Sequence, residues 1–188
     1  MKSILPALAV ICLSLTPALA EPAPEAALPK AAAGRAAYAP FAPLVGRSWR
    51  GKGVGPAGGG SVEDIQRWEW ILGGQAIRIT HSVNNGAYAG ESTVFRAPDG
   101  DGYVYTYVTT GGFYTTGILR PSGEGAFTAE ETVHGVPGLG RLRTTYTLGA
   151  DGVYRVRSSM ESNSQWVETG GFDYVEDATA VPVMPALK

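Results

Sequence analysis

Residues 68–81 read WEWILGGQAIRITH, with alternating runs on either side of Gly73-Gly74. Alternation with a period of two is typical of β-strands, whose successive side chains point to opposite faces. Glycine at both central positions favours a primed two-residue turn, because that turn requires a positive φ at each of them. The segment therefore predicts a β-hairpin with three opposing pairs: Trp68 with Ile79, Glu69 with Arg78, and Trp70 with Ile77.

This register sorts the hairpin into an apolar face and a charged face. A slip of one residue would mix the two sets, so the pairing is strongly specified. His81 falls on the apolar face, opposite Gln66. A second two-residue turn at Asn85-Gly86 adds Tyr88 to the same face.

Turn signals rich in Gly, Asn, Asp, Pro or Ser recur along residues 44–177 and separate about ten short segments. The segments are rich in Val, Ile, Thr, Tyr, Phe and Trp, as strands are, and none has a helical period. Because every connection is short, each strand is expected to lie beside the next. We predict an all-β domain, an antiparallel up-and-down barrel of about ten strands in meander order. A sandwich of two sheets is the alternative.

The strands predicted near 103–109 and 113–120 leave two choices for the inward face. A two-residue turn at Gly111-Gly112 groups the tyrosines of the first strand on one face and its valines on the other. Aliphatic side chains are the usual core residues, so the valine face is our first choice. Tyrosines that line a wet cavity are the alternative.

The last four predicted strands carry many charges. Glu130 and Glu131 do not form a catalytic carboxylate pair, because neighbours on a strand point to opposite faces. We expect the arginines of these strands on a solvated outer face, in ion pairs of small energy. The alternative is an inward arginine that binds a ligand carboxylate through its planar guanidinium group.

The chain divides into four segments. Residues 1–20 have the charged start, apolar run and Ala-x-Ala end of a signal peptide, which predicts export to the periplasm or secretion. Residues 21–43 form an Ala/Pro-rich linker, and its last aromatic residues are expected to cap one end of the domain. The barrel domain covers 44–177, and 178–188 form a flexible tail.

Composition excludes several classes of function. The only cysteine, Cys12, lies within the predicted signal peptide, so the mature chain offers no disulfide, thiolate metal site or cysteine nucleophile. Loss of Lys2 leaves 14 basic residues against 17 acidic ones, a net charge of −3, which gives no reason to expect nucleic acid as a partner. We predict no cofactor, no metal site and no membrane span in the mature chain, and the oligomeric state stays open.

Several stretches resemble a known group of proteins. They are Leu44–Gly53, Trp68–Ile77, Gly86–Ser92 and Tyr107–Tyr114. The chain resembles bacterial lipocalin-like barrels of the calycin group, whose function is uncharacterised, and more distantly the nitrobindin-like barrels. The latter resemblance implies haem bound through a histidine near the C-terminus. Residues 165–188 contain no histidine, so haem binding of that kind is not expected.

Side chains just fill a barrel of eight strands, so ten strands are expected to leave an interior cavity. We predict a binding module for a small, largely apolar ligand rather than an enzyme, and we assign no catalytic residue. The predicted ligand-binding residues are Trp68, Trp70, Ile77, Ile79, His81 and Tyr88. The alternatives are an interaction or structural protein of the cell envelope with a filled barrel, and an enzyme that uses His81 for acid–base chemistry.

Overall fold

Ten β-strands form the fold in the computed structural model, which describes residues 34–54 and 60–186. Their bounds are β1 Ser48–Val54, β2 Ser61–Ile71, β3 Ala76–Val83, β4 Tyr88–Arg96, β5 Tyr103–Thr109, β6 Tyr114–Gly123, β7 Ala126–His134, β8 Arg141–Leu148, β9 Tyr154–Ser162 and β10 Gln165–Glu176. Two short 3₁₀ segments, Gly34–Phe41 and Leu72–Gly74, complete the described elements. Within these described ranges, no helix is long and apolar enough to cross a membrane.

The sheet closes on itself. Each strand pairs antiparallel with the next one in sequence, and β1 pairs with β10, so that Trp49 lies opposite Glu176. This confirms the predicted all-β fold, a ten-stranded antiparallel up-and-down barrel with meander topology. Closure leaves no unpaired edge among the ten described strands, which removes the main route to edge-to-edge aggregation in this sheet.

The hairpin of residues 68–81 has the predicted register. Gly73 and Gly74 have φ values of 66° and 92°, and the Gln75 N–H donates to the Leu72 carbonyl at 3.3 Å. The observed pairs include Trp68 with Ile79, Glu69 with Arg78, Trp70 with Ile77, and Gln66 with His81. The next hairpin also follows the prediction, with Val83 opposite Tyr88 and His81 opposite Gly90.

The first choice of inward face for β5 is wrong. Tyr103 and Tyr105 are 4% and 6% exposed, whereas Val108 is 56% exposed. The connection to β6 has three residues, since the Thr109 N–H donates to the Phe113 carbonyl at 3.2 Å, and Tyr107 therefore lies opposite Thr115. A barrel of ten strands is wide, and large rings fill it better than valines do.

The charged residues of the last four strands form ion pairs on the outer surface, as expected. Arg143 pairs with Glu130 at 2.7 Å, and Arg157 pairs with Asp173 at 2.6 Å. All four side chains are between a third and a half exposed. Each such pair contributes only about 0–1 kcal/mol to stability, so the outer charges add little to the fold.

Residues 34–43, the described part of the predicted linker, pack into one end of the barrel. Phe41 is fully buried, and its ring centroid lies 4.8 Å from that of Tyr103 and 5.0 Å from that of Phe127. Tyr38 is also buried and its hydroxyl donates to a backbone carbonyl in the β2–β3 turn. We call this the sealed end; the turns β2–β3, β4–β5, β6–β7 and β8–β9 lie there.

The described part of the predicted tail contacts β3 at Ser82. Ala180 is buried, and the Val183 N–H donates to the Ser82 hydroxyl at 2.9 Å. Residues 1–20, the predicted signal peptide, lie outside the described residues.

Candidate functional site

A cavity of about 190 Å³ occupies the barrel interior away from the sealed end. Much of its wall is aromatic, and it also carries two carboxyl groups and one imidazole, those of Asp64, Glu131 and His81. The aromatic lining residues are Trp68, Tyr105, Tyr107, Tyr146, Phe172 and Tyr174. Of the residues that the structure describes, no lysine or arginine lines this cavity.

His81 lines the cavity, and each of its two ring nitrogens takes part in a hydrogen bond. Its Nδ1 lies 2.9 Å from Asp64 Oδ1, and its Nε2 lies 2.7 Å from the Tyr107 hydroxyl. The Tyr107 hydroxyl lies 2.7 Å from that of Tyr88. These contacts hold the imidazole ring in one orientation.

A second chain of hydrogen bonds reaches Asp64 from the other side. The Trp68 indole N–H can only donate, and it donates to Gln66 Oε1 at 3.3 Å, which fixes the orientation of that amide. Gln66 Nε2 then donates to the Tyr174 oxygen at 2.8 Å, and the Tyr174 hydroxyl donates to Asp64 Oδ2 at 2.6 Å. Each oxygen of this carboxylate therefore receives one hydrogen bond.

Both chains are satisfied by an arrangement of protons in which Asp64 is a carboxylate and His81 is a neutral imidazole. With Asp64 as a carboxylate, His81 carries its proton on Nδ1, and Nε2 accepts the Tyr107 O–H. The Tyr107 oxygen then accepts from Tyr88, so every member of the network is satisfied. Burial raises the pKa of Tyr107 and of Tyr174, which keeps both hydroxyls protonated as donors. Asp64 is only 1% exposed, and these charge-assisted bonds are what make its burial tolerable.

Glycines make room for the rings of this wall. A Cβ atom at Gly90 would overlap the Tyr107 ring, and one at Gly51 would overlap the Tyr174 ring. Each glycine lies on the strand that neighbours the strand of its tyrosine. The absence of a side chain therefore lets each hydroxyl reach the Asp64–His81 pair.

Glu131 lies on the opposite wall. Strands β2 and β7, which carry Asp64 and Glu131, are five strands apart in either direction around the ten-stranded ring. Glu131 Oε2 accepts a short hydrogen bond from Thr115, and the Thr144 hydroxyl lies 3.5 Å from Oε1. Burial raises the pKa of Glu131, and these hydrogen bonds oppose the rise only in part.

The structure brings together three of the six residues predicted to bind a ligand. Trp68, Ile79 and His81 line the cavity. Tyr88 is half-buried, and its hydroxyl forms a hydrogen bond with the hydroxyl of Tyr107. Ile77 is fully buried in the hydrophobic core, and Trp70 packs against Tyr38 at the sealed end; neither belongs to the cavity lining.

Sequence reasoning missed Asp64, Glu131 and Tyr174, and it reached Tyr107 only through the alternative in which the tyrosines of residues 103–109 line a wet cavity. A signal for Asp64 was present, because it shares the parity of Gln66 and Trp68 on β2 and therefore their face. The same alternation places Glu131 inward once Phe127 and Ala129 are recognised as core residues. Tyr174 had no such signal, because the register between β9 and β10 shifts at a bulge before it.

No group of three His, Cys, Asp or Glu side chains suited to a metal ion occurs in residues 34–54 or 60–186. The donors around His81 are used in hydrogen bonds to one another. The oxygen atoms of this arrangement can accept hydrogen bonds from a ligand.

No family model matches the chain, and no curated protein matches it. Among solved structures, the chain is similar to the crystal structure of Rv2717c from M. tuberculosis. The two share 13% sequence identity, the match covers 75% of this chain and 97% of that one, and the TM-score is 0.56. This likeness is one of fold.

Proposed function

We propose that the protein is an exported lipocalin-like barrel that binds a small, largely apolar ligand in its interior cavity. The observation that carries this proposal is the cavity itself, with apolar side chains and a few convergent polar groups on its wall. Export rests on the signal-peptide pattern of residues 1–20, and membership of the lipocalin-like family rests on the sequence resemblance.

The volume limits the size of the ligand. Pockets for drug-sized ligands usually measure about 300–1,000 Å³, whereas an apolar cavity of about 150 Å³ holds benzene. The cavity here measures about 190 Å³. We therefore propose a ligand with one ring, or a chain of similar bulk, which packs against Ile79, Val156 and Phe172.

Native mass spectrometry of the protein from its own host tests this proposal. We expect a bound molecule of low mass that organic extraction releases. Ser158→Leu is expected to abolish its retention, because Ser158 lines the cavity and a larger side chain would occupy the space. Ser159→Leu is the matched control, because the neighbouring residue lies on the other face of β9. A barrel that is always empty would instead favour the filled-barrel alternative.

Acid–base catalysis is a second candidate function, favoured by the hydrogen-bonded chain from Asp64 through His81 to Tyr107. A histidine oriented by a carboxylate is a common general base. The test is to incubate the extracted ligand with the protein and follow its mass. Conversion that His81→Ala abolishes would establish the enzyme, whereas conversion that survives in this variant would exclude His81 as its base.

A further inference from the structure

The interior cavity has an unbalanced set of charged side chains. Asp64 and Glu131 are both at most 5% exposed and lie on opposite walls. His81 is the only basic side chain in the described lining, and the Nδ1 proton of its ring is already engaged in the hydrogen bond to Asp64. An anionic ligand would therefore meet two acidic groups and no fixed positive charge.

Glu131 keeps one oxygen, Oε1, that accepts only a long hydrogen bond. Its Oε2 is taken by Thr115, but the Thr144 hydroxyl is 3.5 Å from Oε1, at the limit of a hydrogen bond. Both oxygens of Asp64, by contrast, receive well-placed donors at 2.9 and 2.6 Å. Glu131 is therefore the acidic group best able to accept a new N–H donor.

The remaining wall is suited to a positive charge. Aromatic faces attract cations through their quadrupole, and this attraction is stronger where water is excluded. Tyr105 and Tyr146 line the cavity beside Glu131, and both are buried. Burial keeps their pKa values well above the ordinary tyrosine value, so they present neutral rings and hydroxyls rather than phenolates.

We propose that the ligand of this cavity is a small organic ammonium ion, a protonated primary amine with one ring or a short chain, whose charged group pairs with Glu131. This inference rests on the proposed binding function and names the chemical class of its ligand. The apolar part of the amine occupies the space between Ile79 and Phe172, and its ammonium group donates to Glu131 Oε1.

Titration calorimetry on the full protein with three probes of matched shape tests this inference. The probes are phenethylamine, phenethyl alcohol and hydrocinnamate, which are cationic, neutral and anionic at pH 7. We expect the amine to bind at least about tenfold more tightly than the alcohol, because a charge-assisted bond is about twice as strong as a neutral one. We expect no binding of the carboxylate.

Glu131→Gln is expected to reduce the preference for the amine over the alcohol by about tenfold or more. Glu130→Gln is the matched control, because Glu130 is the adjacent residue but points outward and pairs with Arg143. An unchanged preference in Glu131→Gln, with the cavity still able to bind the alcohol, would overturn the inference.

Proton release gives a test that needs no variant. Since burial raises the pKa of Glu131, pairing with an ammonium ion would lower it and release a proton on binding at pH values near the raised pKa. Calorimetry in buffers of different ionisation enthalpy measures this release. Amine binding without proton release at any pH down to the ordinary glutamate value of 4.5 would contradict the role of Glu131.

The results with the three probes distinguish a failure of the ammonium inference from a failure of the proposed binding function. If the alcohol or the carboxylate binds as tightly as the amine, the ammonium class is wrong and interior binding stands. If none of the three binds, the ammonium inference fails, and interior binding is decided by the mass spectrometry of the protein from its host.

Discussion

The half of the barrel next to residues 34–41 is packed with aromatic rings, whereas the half around His81 contains a cavity of about 190 Å³. Both halves are built from inward tyrosines. In the packed half, the ring of Phe41 packs against those of Tyr103 and Phe127. The Tyr103 hydroxyl also donates to the Ala37 backbone carbonyl at 2.6 Å. In the cavity half, by contrast, the Tyr107 and Tyr174 hydroxyls bond to the ionisable side chains of His81 and Asp64.

This comparison shows that the hydrogen-bond partner of the hydroxyl, more than the ring itself, determines the role of a tyrosine that points into the barrel. A hydroxyl that meets a buried carboxylate or imidazole becomes part of an oriented network, and space between such networks stays open to a ligand. A ring among other rings contributes through burial and packing. The expected results below probe this contrast, from the largest effect to the smallest.

Phe41→Ala is expected to destabilise the protein by about 3–5 kcal/mol, because it removes a fully buried ring and leaves a cavity in the packed half. Urea unfolding followed by tryptophan fluorescence measures the loss. Leu72→Ala is the control: Leu72 is 75% exposed, and its truncation should change stability by no more than about 0.5 kcal/mol. Similar effects in the two variants would mean that residues 34–41 do not belong to the core.

Gly90→Ala is expected to cost about 1–3 kcal/mol, because the new methyl group overlaps the Tyr107 ring and forces it to move. The shift should also break the contact between Tyr107 and His81, which NMR of the imidazole nitrogens detects. Gly140→Ala is the matched control, since nothing lies within 4 Å of a Cβ atom there. Unchanged imidazole signals in Gly90→Ala would show that the close approach is not needed to orient His81.

Tyr107→Phe and Tyr154→Phe compare the same change in the two halves. The first leaves His81 Nε2 and the Tyr88 hydroxyl without their partner and should cost about 1–3 kcal/mol. Tyr154 is fully buried, and its hydroxyl has no hydrogen-bond partner among the described residues. We expect Tyr154→Phe to be neutral or stabilising in urea unfolding. A loss in Tyr154→Phe as large as that in Tyr107→Phe would contradict the contrast.

The pH dependence of stability reports on Glu131. Burial raises its pKa above the ordinary value of 4.5, so between that value and the raised pKa the folded state binds more protons than the unfolded state. The stabilisation linked to protonated Glu131 is therefore complete below pH 4.5 and is lost as the pH rises through the raised pKa. Urea unfolding at several pH values should show this fall, and Glu131→Gln should remove it. Glu130→Gln should keep the fall.

Much of the fold follows from local sequence. The alternation along residues 68–81 and the glycines of the turn determine the register of β2 with β3, because positive φ is required at both turn positions and a slip would expose the apolar face. The short connections determine that neighbours in sequence are neighbours in the sheet. These features also place Trp68, Ile79 and His81 on one inward face.

Only the tertiary structure determines which residues lie opposite that inward face. Closure of the barrel puts Asp64 and Glu131 on opposite walls, and no spacing along the chain encodes that distance across the interior. The bulge in β10 and the three-residue turn after Thr109 set the positions of Tyr174 and Tyr107, and a single extra residue changes such a register. The site depends on contacts between strands far apart in sequence, because its hydrogen bonds form only when the ring of strands is complete.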